Sequence, residues 1–280
     1  MSEFNFRILK VLNNNIILAY DFKNKKDTIL IGKGIGFGKK ENKKVYINTK
    51  SIQRSFAANN EKMQNEYFRL VNQIDPSIIE VCEKIIDIAE GEMGELNSHI
   101  HILLTDHISF ALERVKMGMR IENPFIDEIK ILYKNEFDIA MQAIEMIRTK
   151  LGIDLGFEEI GFIAMHLHSA RKNVNVKETM RNTRMLNEIT NIIEEGLNLE
   201  LDKTKYNYRR LINHLQGALD RINTKKFIEN PLLENIKKEF KDSFEIIKAI
   251  KVKLEEEYEM EIPEQELGYM AIHIERLKTK

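Results

Sequence analysis

Histidine is the residue type here whose spacing invites chemistry. The chain has seven: His99, His101, His107, His166, His168, His214 and His273. A shift of 107 residues lays His107 on His214 and His166 on His273. Their surroundings match as well, "TDHISFAL" with "INHLQGAL" and "GFIAMHLH" with "GYMAIHIE". A lone histidine on an apolar helical face is most simply a hydrogen-bonded core residue. Two matched pairs point instead to a shared task.

Metal binding fits that task poorly. His99/His101 and His166/His168 are spaced i, i+2, which turns them to different sides of a helix. HExxH is absent, and Cys82, the only cysteine, excludes cysteine-rich zinc spacing. Asp106-His107 reverses the His-Asp order of helical metal-dependent phosphohydrolases. GxSxG and a histidine-paired cysteine nucleophile are missing too. Modification remains. A phosphoryl group on a ring nitrogen brings negative charge and acceptor oxygens, enough to repack an interface.

The second cluster is "ILIGKGIGFGKK", residues 29–40. It lacks the GxxxxGK[ST] of a phosphate loop, and its glycines alternate rather than forming GxGxxG before a helix. Glycine there serves a twisted turn or bulge between strands. RNA supplies a further reading. Exposed backbone approaches a nucleic acid closely, Phe37 stacks on an unpaired base, and Asn15 reaches a base edge or 2′-hydroxyl. Lys10, Lys33, Lys39 and Lys40 would meet phosphates.

The elements that carry these residues change character along the chain. Residues 1–54 have a net charge of +8 and the remainder −9, although the whole chain sums to −1. Such a head suits a polyanion partner or a solvated basic surface. "FRILKVLNNNIILAY" reads as two strands around an asparagine turn at Asn13–Asn15, and "DFKNKKDTILIG" and "KKENKKVYIN" continue the pattern. About four short antiparallel strands are too few to bury a core alone, so a bare sheet face would favour dimerisation.

Beyond about Asn59 the period becomes helical. Ile78, Ile79, Cys82, Ile85, Ile86 and Ala89 share one face. A long amphipathic helix is expected from Pro124, capped by Asn123. "IENP" recurs at Ile121–Pro124 and Ile228–Pro231, and from His107 to His166 the 107-residue shift holds without a gap, with 17 identities in 60 pairs. Two tandem copies of one helical domain follow. The fold class is therefore α+β and multidomain. Expected boundaries are a β domain at 1–58, a linker at 59–69, and helical-bundle domains at 70–175 and 176–280. With one cysteine, no apolar signal core and no apolar run near 18 residues, a reduced, cytoplasmic protein without membrane insertion is expected.

"ILKVLNNNIIL", "IGKGIGF", the tandem repeat and the four paired histidines together resemble the BglG/LicT family of transcriptional antiterminators, over essentially the whole chain. The resemblance implies a small dimeric β domain that binds a hairpin in nascent mRNA and prevents a terminator from forming. Two sugar-phosphotransferase-system regulation domains follow it. Carried over by motif, the RNA contacts are Lys10, Asn13, Asn15, Gly32, Lys33 and Phe37, and the phosphorylated histidines are His107, His166, His214 and His273. The implied partners are the mRNA hairpin, a second copy, the phosphocarrier HPr and a sugar-specific permease, with neither catalysis nor a cofactor. The family often has Gly-Arg-Gly where this chain has Gly32-Lys33-Gly34, and lysine lacks the bidentate guanidinium. Two other readings remain: a DNA-binding regulator with the same regulation domains, which needs a helix-turn-helix head, and an all-helical metal-dependent hydrolase.

Overall fold

The structure, a computed structural model, describes residues 4–52, 54–57 and 61–278. The chain divides into two compact units, Met1–Glu122 with Asp138–Asn175, and Asn123–Phe137 with Val176–Lys280.

The first unit opens with β1 (Phe6–Asn13), β2 (Ile16–Asp21), β3 (Lys26–Ile31), β4 (Lys44–Val45) and β5 (Arg54–Ala57). All neighbours are antiparallel, in the order β4-β1-β2-β3-β5. Period-two alternation gives the sheet two apolar faces. One carries Phe6, Ile8, Ile17, Ala19 and Leu30, closed by Ile35 and Ile47 from the loops. The other carries Ile16, Leu18, Ile29, Ile31 and Phe56.

That second face is not bare. Helix α1 (Glu61–Gln73) lays Met63, Tyr67, Leu70 and Val71 across it, a stripe at helical spacing. Ile79 of α2 (Pro76–Met93) and Ile102 of α3 (Ile100–Lys116) join the same cluster. Two expectations change here. Helix α1 occupies most of the stretch expected as a linker. The chain also covers its own sheet, which removes the argument for dimerisation from an uncovered face. The sequence signal was available, since Met63, Tyr67 and Leu70 recur at three- and four-residue intervals.

In α2 the expected stripe is inward, with Ile79, Cys82, Ile85, Ile86 and Ala89 buried and Ile78 half-buried. The long helix expected from Pro124 is two helices, α4 (Ile126–Leu132) and α5 (Lys134–Leu151), parted at Tyr133 with φ −121° and ψ 45°. The second copy breaks at the equivalent residue. There α9 (Leu233–Glu239) and α10 (Lys241–Tyr258) meet at Phe240, φ −112° and ψ 48°. "IENP" builds a side-chain-capped turn rather than a helix start. Asn123 Oδ1 accepts from the Phe125 amide at 3.1 Å, and Asn230 Oδ1 accepts from the Leu232 amide at 3.1 Å. The other helices are α6 (Glu158–Lys172), α7 (Val176–Leu197), α8 (Tyr206–Thr224) and α11 (Glu264–Lys278).

Candidate functional site

The repeated histidines come together in each unit. In the first, α3 and α6 bring His107 and His166 to a ring separation of 4.7 Å at 34°. In the second, α8 and α11 bring His214 and His273 to 3.6 Å at 15°, a stacked pair. A pocket of about 230 Å³ opens on that second pair, lined also by Arg221, Ile228 and Tyr269.

Burial sets the protonation of these rings. It pushes His166 down to about 3, with a further push from His107. It pushes His273 down to about 4, reinforced by His214 and by Arg276, Arg210 and Arg221. His214 is lowered by burial and then by the same three arginines. At neutral pH these three imidazoles are uncharged, so each keeps a nucleophilic nitrogen. Nδ1 of His166 is buried without a hydrogen-bond partner.

Beneath each pair lies an ion pair that sequence reasoning missed. Glu159 Oε1 accepts from Arg114 and its Oε2 meets His107 Nε2 at 3.1 Å. Glu266, fully buried, takes Arg221 bidentately at 2.9 and 2.7 Å. The signal was present, because Glu159 and Glu266, like Arg114 and Arg221, coincide under the 107-residue shift. The copies differ in what faces the histidines. Glu159 is bonded to His107, while His214 has Arg210 and Arg276 nearby, at positions where the first copy has Leu103 and Ser169. Asp106, the acid next to His107 in sequence, is exposed; the carboxylate that reaches the ring is Glu159.

Two of the remaining histidines sit elsewhere. His101 is buried against Glu83 and Phe56. His99 lies 3.7 Å from the Glu66 carboxylate. Among the described residues no three His, Cys, Asp or Glu side chains are grouped to hold a metal ion.

At the N-terminal sheet, five of the six RNA candidates converge. Asn13 Oδ1 accepts from the Asn15 amide at 2.8 Å, and Asn15 Oδ1 accepts from the Gly34 amide at 2.9 Å. The Gly32 amide donates to Asn15 O and the Gly36 amide to Asn14 O, both at 2.9 Å. The asparagine turn and the glycine loop are thus stitched into one knuckle. Gly34 and Gly38 have φ of +69° and +66°, and a Cβ on Gly36 would collide with the Asn13 carbonyl oxygen. Lys33 is exposed, and Phe37 stands out with 75% of its surface exposed. Lys10, the sixth, sits on β1 with its ammonium 3.7 Å from the centre of the Phe68 ring on α1.

Comparison with known proteins decides what this combination is. The CAT RNA binding domain model matches residues 6–65, and the PRD domain model matches residues 83–170 and 187–277. The transcription antiterminator LicT of Bacillus subtilis (strain 168) is 33% identical over 97% of this chain and 98% of its own.

The chain belongs to the CAT–PRD family of transcription antiterminators.

The β-glucoside operon antiterminator of Dickeya chrysanthemi is similar, 32% identical over 98% of this chain and 97% of its own. The crystal structure of GlcT CAT-PRDI superposes with a TM-score of 0.53 at 40% identity, covering 59% of this chain and 97% of that one. This antiterminator is therefore an RNA-binding regulator of a sugar-utilisation operon, and its PRD domains put it under phosphotransferase-system control. No helix among its described residues is long and apolar enough to cross a membrane.

Proposed function

We propose that the antiterminator binds a hairpin in nascent mRNA through the knuckle of Asn13, Asn15, Gly32, Lys33 and Phe37, with Lys10 at its flank. In the same reading, binding is controlled by phosphorylation of His107 and His166 in the first repeat and His214 and His273 in the second. The protein works in the cytoplasm as a homodimer and receives phosphoryl groups rather than catalysing their transfer. Its functional boundaries are 1–58 for RNA binding, 70–175 and 176–280 for regulation. The observation that carries this reading is the recurrence of a histidine pair over an Arg–Glu ion pair in both repeats.

The sign of control follows from the surroundings of each pair. A phosphoryl group on His107 meets the Glu159 carboxylate and is repelled, which favours opening of that site. A phosphoryl group on His214 or His273 lies near Arg210 and Arg276, which the first repeat lacks and which hold it by charge-assisted bonds. Phosphorylation of the first repeat, by a sugar-specific permease, therefore inactivates. Phosphorylation of the second, by the phosphocarrier HPr, activates. A terminator-reporter strain carrying paired histidine substitutions tests this, and equal phenotypes for the two repeats would sink it. The described part of the head consists of strands and a short 3-10 turn, with no helix-turn-helix, so the DNA-binding reading gains no support.

A further inference from the structure

His101 is used by none of the functions above, yet it is a buried polar side chain of the first unit, with 3% of its surface exposed. Its ring lies flat on Phe56 of β5, with centroids 3.7 Å apart and planes at 7°. Nδ1 lies 2.9 and 3.0 Å from the two Glu83 oxygens of α2. Glu83 also receives the Tyr67 hydroxyl of α1 at 3.5 Å, and Tyr67 meets Phe56 edge-on at 5.2 Å. Four elements therefore converge on one polar point inside an otherwise apolar cluster.

We propose that His101 is the positioning residue that couples the first regulation domain to the RNA-binding sheet, through its stack on Phe56. The proposal rests on the reading of His107 as a modified residue.

Four features support it. His101 and His107 share α3, six residues apart, about 9 Å along a helix that rises 1.5 Å per residue. A helix is stiff over that length, so a shift forced at His107 reaches His101. The Glu83 bond fixes the ring plane, so the imidazole presents one face to β5 in a single orientation. Beside the stack lies a half-open pocket of about 810 Å³, bordered by Phe56, His101, Asn97 and Ala170. The stack can therefore part without displacing close-packed atoms on that side. Phe56 in turn sits on β5 opposite Ile29 of β3, whose last residue, Ile31, leads directly into the glycine loop. A packed cluster with a discrete contact and room to break it is the kind of element that two sites can both bias.

The test uses the full chain. His107→Glu places a carboxylate against Glu159 without any phosphoryl donor, and amide hydrogen exchange is followed in β3 and β5. The expected change is at least tenfold faster exchange in these strands in His107→Glu than in the parent. Phe56→Leu keeps the apolar contact with the sheet and removes the stack; in that background His107→Glu should alter exchange less than twofold. The double substitution His101→Leu/Glu83→Gln breaks the same contact from the helix side and should uncouple equally, so a folding failure of either variant leaves the other to decide. Thermal melts identify a variant that has failed to fold. An equal response to His107→Glu with and without the stack overturns the proposal, as does no response in the parent. A parallel arm exposes the chain to purified phosphotransferase proteins and radiolabelled phosphoenolpyruvate. Lack of label on the first repeat removes the modification reading, and the substitution arm still decides the coupling.

Discussion

The rings of His214 and His273 lie face to face, 3.6 Å between centroids and 15° from parallel, whereas His107 and His166 are tilted by 34° at 4.7 Å. Two imidazoles stacked so closely disfavour a second positive charge. Burial first, and then the arginines around them, keep the two rings neutral at pH 7.

The two pairs should have opposite phenotypes. His107→Ala/His166→Ala should give antitermination without inducer, and His214→Ala/His273→Ala should be silent with it. A terminator-reporter assay reads both. The reverse pattern would mean that the Glu159 and arginine environments do not set the sign.

Acid should unfold the first unit partly through His166. Its folded value is about 3 and its unfolded value about 6.5, so the unfolded chain binds the extra proton between those limits. Stability is therefore fully present above about pH 6.5 and is lost as pH falls toward 3, by up to about 1.4 kcal/mol per pH unit. Urea denaturation from pH 7.5 to 4.5 should show a flatter pH dependence for His166→Gln than for the parent. Parallel curves would mean that the ring is not held neutral.

Breaking the buried ion pair of the second repeat should be costly. Arg221→Met leaves the fully buried Glu266 carboxylate without its partner and should cost about 3 kcal/mol in a urea melt. Adding Glu266→Leu should recover a good part of that loss, because no unpaired buried charge remains. A double variant as unstable as the single one would show that the loss was packing rather than charge.

The knuckle residues should separate into two kinds. Phe37→Ala should weaken hairpin RNA binding by about 1–3 kcal/mol, the scale of one lost base stack, and leave the melting temperature unchanged because the side chain is exposed. Asn15→Ala should lower both, since its Oδ1 holds the Gly34 amide. Filter binding and thermal melts of the same preparations distinguish them. Equal melting temperatures for parent and Asn15→Ala would return Asn15 to a purely RNA-facing role.

Much of this was legible in the chain itself. Period-two runs announced the strands, and Asn13-Asn14-Asn15 announced the turn between β1 and β2, because those signals are local. The ungapped repeat paired His107 with His214 and His166 with His273 before any helix was placed. Where local signals were read too simply, the structure differs. The run from Pro124 has helical periodicity throughout, yet it breaks at Tyr133, since periodicity reports a buried face and not an unbroken backbone.

By itself the sequence determined which residues repeat, where the basic head ends, and that strands precede helices, because composition and period are properties of neighbours along the chain. Only the tertiary structure decided which groups act on one another. Glu159 lies 52 residues from His107 and Asp106 only one, yet it is Glu159 that bonds the ring, because α6 packs across α3 and Asp106 points to solvent. Phe56 meets His101 across 45 residues, and α1 covers a sheet face that looked bare, because apolar surface is buried wherever the folded chain brings a complementary stripe. Burial then lowers the proton affinity of His166 and His273, and burial is a property of the fold rather than of any motif.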